Sequence, residues 1–320
     1  MIRLLPVYCM YGFFMSEPKR ITTRQAKRQI NTFGLPLIIY IIIFSLLQYA
    51  SDLIYERFPE IFFGADPEIV ILSATSLMTI LMVVIFTVQA ASVLRLRMSD
   101  YLKSPRLSFG KYVALSAIGI GIMMLTTSVS SLFYFFFHTN SHVYTFLGNF
   151  NSVLNIIRNV LFFLQFVIIK PICDEYIFRG IIQRQLGHYG RYFGVLASAF
   201  LYALAQQNLI DAVPAFFLGW YLSLITLRYH SIKPNFTVHI AVNLFVWLFN
   251  AVPGKFLFVL IIALGLCYLI SAVSILGHQV STNIIRYGAT EGKLWKILLT
   301  SSTIIFVIIL FIINVVLSFI

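Results

Sequence analysis

Charge is scarce in this chain. Only 11% of its 320 residues are charged, and just 11 are Asp or Glu. That is too little polar surface for an ordinary soluble domain, and the 60% hydrophobic content and mean hydropathy of +0.91 point the same way. Cysteine is also sparse. Cys9, Cys173 and Cys267 are far apart and form no CxxC pair, which excludes a disulfide framework. Cys173, beside Asp174, reads as a small buried hydrophobe rather than a nucleophile. Alternating strands of the kind that build an outer-membrane barrel are missing. There is no internal repeat, low-complexity tract or soluble domain. The inverted repeats and matched broken helices of secondary transporters are lacking too, which argues against transport.

What remains is a succession of apolar runs about 20 residues long, the signature of a polytopic membrane protein. The expected fold is an all-α transmembrane bundle of about nine spans: 34–55, 69–94, 112–137, 153–182, 192–207, 213–227, 236–252, 256–276 and 297–320. Four segments follow. Residues 1–33 form a basic cytoplasmic lead, 34–149 a three-span unit, 150–252 the core, and 253–320 a two-span unit. MIRLLPVYCMYGFFM, at 1–15, has a short apolar run but no cleavage site, and the reading adopted is a translation start at Met15. The net charge of +12 lies in alternate loops. Arg95, Arg97, Lys103, Arg106 and Lys111 follow span two, while Asp52, Glu56, Glu60, Asp66 and Glu68 surround the first exit. This alternation points to a lipid bilayer and not to nucleic acid. It places the N-terminus in the cytoplasm and the C-terminus outside, in the cell membrane.

The stretch Cys173-Asp174-Glu175-Tyr176-Ile177-Phe178-Arg179-Gly180 puts two acids and a guanidinium within an apolar span. Ionisable groups at membrane depth are expensive and mark functional sites by default. Glu175 and Arg179 are spaced i,i+4 and share a helix face, with Asp174 about 100° away. The bland reading is a packing ion pair, and it is adopted for Arg179. Asp174 resists it, because no second cation is evident and Arg158 is almost five turns earlier. Adjacent acids in a low dielectric are how acid/base sites are built. Pro171 is expected to kink the helix just before them. Two later helices carry polar pairs at the same spacing, Tyr202/Gln206 and His239/Asn243. A lone membrane His is often only an interhelical hydrogen-bonding group. With Asn243 one turn away, His239 can instead help donate to a developing oxyanion. Straight-helix counting places Asp174 roughly 12 Å, His239 roughly 5 Å and Gln206 roughly 21 Å from their cytoplasmic ends, so convergence requires tilt, a kink or a sunken segment at 181–191.

These motifs, in this order, resemble the CPBP family (also called Abi) of CAAX-protease and bacteriocin-processing intramembrane endopeptidases. The resemblance covers about 150–250. Asp174-Glu175-Tyr176-Ile177-Phe178-Arg179-Gly180 stands where the family has Glu-Glu-x-x-x-Arg. Tyr202 through Gln206 keeps the frame of an aromatic followed four residues later by His. His239 and Asn243 match His-x-x-x-Asn, and Gly219 matches a glycine between the motifs. The resemblance implies that the first acid and the second-motif His activate water, while the third-motif His and Asn hold the oxyanion. Here the activating positions hold Asp174 and Gln206. An Asp carboxylate sits about 1.5 Å back from that of Glu, and a displacement of about 1 Å can cost on the order of 100-fold in rate. A Gln amide cannot accept a proton. The family is often labelled metalloprotease. A zinc here would have only Asp174, Glu175 and His239, with one carboxylate engaged by Arg179. The reading adopted is a degenerate member that binds a membrane protein or peptide as a regulator, scaffold or immunity protein. The alternative is an active intramembrane endopeptidase.

Overall fold

The computed structural model describes residues 23–57, 66–92, 99, 102, 104–137, 152–251 and 288–317. All regular structure among them is helical: α1 Thr23–Arg57, α2 Pro67–Ser92, α3 Phe109–Phe137, α4 Val153–Gly187, α5 Arg191–Ala205, α6 Leu209–Tyr229, α7 Lys233–Ala251, α8 Gly288–Leu299 and α9 Ser302–Leu317. Helices are the expected answer to a solvent without hydrogen bonds, since they satisfy the backbone internally. The polar residues of the apolar spans do the same locally. Ser76, Thr87 and Thr126 donate to the carbonyls of Leu72, Val83 and Ile122, one turn back. Helix starts follow ordinary capping rules. Ser152 accepts from the Asn155 amide and Asn208 from that of Ile210, while Asp66 accepts from the Ile69 amide just ahead of Pro67.

Among the described residues, five helices are long and apolar enough to cross a membrane, or six if the bent pair α8–α9 is one span. This count does not confirm about nine spans. The expected eighth, at 256–276, lies outside the described residues, as do Met15, Cys9, Cys267, Glu60, Arg95, Arg97 and Lys103. α5 has 15 residues, and at about 1.5 Å each it falls short of a hydrocarbon core about 30 Å thick. α7 carries Lys233, Asn235, His239 and Asn243, and is not among the five. The ninth span does not run straight from 297: its helix breaks at Thr300–Ser301 with a 71° bend, and α9 starts at Ser302.

Two packing centres flank α4. One joins α1, α2, α4, α5 and α9 through Ile30, Phe33, Phe86, Phe178, Leu201 and Val307. The other joins α3, α6 and α7 through Ile122, Leu222, Val238 and Val242. α4 extends to Gly187, five residues beyond the expected end of the span. The chain then turns back through Gly190 so tightly that a Cβ on Gly194 would stand 2.7 Å from the Gly187 nitrogen. α5 therefore lies directly against the end of α4, as only a glycine permits.

Pro171 does not break α4. Instead the helix widens into π turns at Leu164–Ile169 and again at Glu175–Gln183. In this register the Lys170 amide donates to the Gln165 carbonyl, five residues back. The next donor would serve Phe166, but it is Pro171 and has no N–H. Asn243 of α7 fills the vacancy, its Nδ2 donating to the Phe166 carbonyl at 2.8 Å. A defect imposed by proline is thus closed by a neighbouring helix, which pins α7 to α4 at one level.

Candidate functional site

Glu175 is the centre of a fully buried polar cluster. Arg179 Nη1 donates to its Oε1 at 2.8 Å, so the expected i,i+4 pair forms, and both side chains are inaccessible. His239 Nδ1 lies 2.9 Å from the same oxygen. Asn235 Nδ2 donates to Oε2 at 2.9 Å and also reaches the Thr226 hydroxyl and the Leu222 carbonyl. A carboxylate only accepts, so the Nδ1 facing it carries the hydrogen. Asn235 is a residue that sequence reasoning missed, although it stands one turn ahead of His239.

The guanidinium has a second support. Its carbon lies 4.7 Å from the centre of the Tyr202 ring, a cation–π distance. Gly219 makes room for both: a Cβ there would meet Arg179 Nη2 at 2.8 Å and Tyr202 Cδ1 at 3.0 Å. The glycine between the motifs therefore has a steric reason. The Tyr202 hydroxyl stands 3.5 Å from His239 Nε2.

Asp174 belongs to a different cluster. The expectation that it lacks a second cation is corrected: Lys170 Nζ donates to Asp174 Oδ2 at 3.1 Å, an i,i+4 pair on α4. The same ammonium donates to Gln206 Oε1 at 3.2 Å, and Gln206 Nε2 donates to the Tyr202 carbonyl at 3.2 Å. Asp174 is buried, whereas a quarter of the Lys170 side chain is exposed. Lys170 was legible as the residue four before Asp174.

The turn bearing Gln206 is held from behind. Gln207 adopts a left-handed conformation, φ 60°, which costs a non-glycine residue some strain. Its amide oxygen accepts from Asn314 Nδ2 of α9 at 3.0 Å and from the Ser45 hydroxyl of α1, and its Nε2 donates to the Ile41 carbonyl.

The structure thus brings Glu175, Arg179 and His239 into direct contact. It joins Asp174 and Gln206 through Lys170, and connects the two clusters through Tyr202. Asn243 lies one turn beyond His239, with one of its amide hydrogens on Phe166. Among the described residues, no three His, Cys, Asp or Glu side chains are gathered as a metal site. The set Asp174, Glu175 and His239 does not fit zinc. Both Glu175 oxygens are taken by three nitrogen donors, and an Asp174 oxygen is held by an ammonium.

The family profile described as type II CAAX prenyl endopeptidase Rce1-like matches residues 156–245. Those residues form an Rce1-like domain. The match agrees with the CPBP resemblance and spans most of α4 and all of α5 and α6, reaching into α7. It contains every residue of both clusters. α1 and α9, which hold Gln207 from behind, lie outside it. Searches of curated proteins and of solved structures gave no match. The apolar helices and the Rce1-like domain together identify a membrane protein.

Proposed function

We propose that the Rce1-like domain binds a membrane-embedded peptide or protein without cleaving it, so that the chain acts as a regulator, scaffold or immunity protein. The observation that carries this reading is the position of Lys170. Its ammonium lies between Asp174 and Gln206, the two residues standing where the family's water-activating groups would be. General-base catalysis needs a proton acceptor within hydrogen-bond reach of the water. Here one candidate oxygen is engaged by a cation, and the other side chain is an amide. Asn243 also spends one amide hydrogen on the Phe166 carbonyl.

The test is co-expression with a prenylated or otherwise membrane-anchored reporter peptide. The unmodified protein is expected to leave the peptide intact, and Asp174→Glu with Gln206→His is expected to gain cleavage. Cleavage by the unmodified protein, abolished by Asp174→Asn at unchanged membrane abundance, would establish the active endopeptidase instead.

We further propose a bacterial cytoplasmic-membrane location with the N-terminus inside, from the alternation of basic loops. Cysteines introduced at Ser104 and Ser141 are expected to differ. An impermeant thiol reagent should label Ser141→Cys in intact cells, and Ser104→Cys only after lysis. The opposite pattern would invert the topology.

A further inference from the structure

We propose that the first turns of α1 and the interfacial helix α8 form a binding site for the headgroup of an anionic phospholipid. This inference is independent of whether the Rce1-like domain cleaves or only binds.

Arg24, Lys27, Arg28 and Asn31 lie on one face of α1, at spacings of three and four residues. The opposite face, with Ala26, Ile30, Phe33 and Leu37, is buried in the core. The basic face, with Thr23 and Gln25, borders an open hollow of about 890 Å³. Its position relative to the break after α8 and to the start of α9 is fixed by three hydrogen bonds. Lys27 Nζ donates to the Thr300 carbonyl at 3.2 Å, and Asn31 Oδ1 accepts from the amide and hydroxyl of Thr303 at 3.3 and 3.0 Å. The basic face of α1 therefore sits beside the break that separates α8 from α9.

α8 stands at 71° to α9. If α9 crosses the bilayer, α8 runs close to the membrane plane, where an amphipathic helix partitions between headgroups and acyl chains. Leu298 is buried, and Leu294, Trp295 and Ile297 pack onto the core, while Lys293 and Lys296 are exposed. Trp295 rests edge-on against Phe193 and Phe200, in the place where an interfacial aromatic anchors a helix. The first turns of α1 and the whole of α8 together carry five cations, Arg24, Lys27, Arg28, Lys293 and Lys296, and one acid, Glu291. A phosphodiester supplies the missing negative charge at the depth where these side chains lie, and basic pockets between helices at the cytoplasmic side are its usual receptors.

The experiment uses the full chain in vesicles, with Trp220→Phe and Trp247→Phe leaving Trp295 as the sole tryptophan. Vesicles contain acyl-brominated phosphatidylglycerol or acyl-brominated phosphatidylcholine at equal mole fraction, the remainder being unbrominated phosphatidylcholine. Brominated phosphatidylglycerol should quench Trp295 more strongly, with a preference of about fivefold or more in relative affinity. That preference should fall to near unity in R24Q/R28Q/K293Q/K296Q and persist in R106Q/K111Q, which alters another basic loop. Equal quenching by the two lipids overturns the proposal. So does a preference that survives the quadruple substitution, or one lost equally in R106Q/K111Q, which would assign it to bulk surface charge.

Discussion

Glu175 and Asp174 are neighbours in sequence, yet their surroundings differ in kind. Glu175 is fully enclosed and receives three nitrogen donors from two helices. Asp174 has one cation, and that cation reaches partly into the open. The inner cluster is closed: its charges are matched, its ring contacts are fixed, and a glycine has been cleared to fit it. The outer cluster is a bridge of long side chains that can rearrange. Stability is concentrated in the first and adaptable contacts in the second, although family resemblance alone would assign both to one catalytic centre.

The largest expected effect comes from breaking the inner cluster. Glu175→Ala leaves the buried Arg179 and the His239 Nδ1 hydrogen without their acceptor, a loss of about 3–5 kcal/mol. Membrane abundance and thermal stability in detergent should both fall sharply. Gly219→Ala should cost about 1–3 kcal/mol by overpacking, because the added methyl would press on Arg179 and Tyr202, both already fixed in place.

Smaller effects are expected from the outer cluster. Lys170→Met strands the buried Asp174 carboxylate and should cost about 1–3 kcal/mol, less than the inner break because the pair is partly solvated. Adding Asp174→Asn to Lys170→Met should recover most of that loss, a coupling that a double-mutant cycle in detergent measures directly. Gln206→Ala should cost under about 1 kcal/mol, since water can replace its contact with the ammonium. An outer substitution as damaging as Glu175→Ala would erase the distinction between the clusters.

Sequence reasoning reached the helical class, the Glu175–Arg179 pair and His239, because each rests on i,i+4 spacing within one helix. Lys170 and Asn235 obey the same spacing, to Asp174 and His239, yet were missed. Lys170 lies in an apolar run, and Asn235 resembles a loop residue next to Lys233-Pro234. The π turns were beyond reach: they shift the register of α4 by one residue per bulge, which no 3.6-residue count anticipates. The bend at Thr300–Ser301 was masked by the apolar run on both sides. The role of Asn243 could not be read at all, because it depends on which carbonyl Pro171 leaves open.

The clamp on Gln207 has a consequence for biogenesis. Its two anchoring helices, α1 and α9, emerge from the ribosome before and after it. Ser45 and Ile41 are available when the turn at 206–208 is made, but Asn314 arrives only after roughly a hundred further residues have been translated. Until then the left-handed turn lacks one of its holders, and the wall carrying Gln206 is incomplete. The turn is therefore completed by the last described helix, so a nascent chain arrested before α9 carries an Rce1-like domain with an unlocked edge.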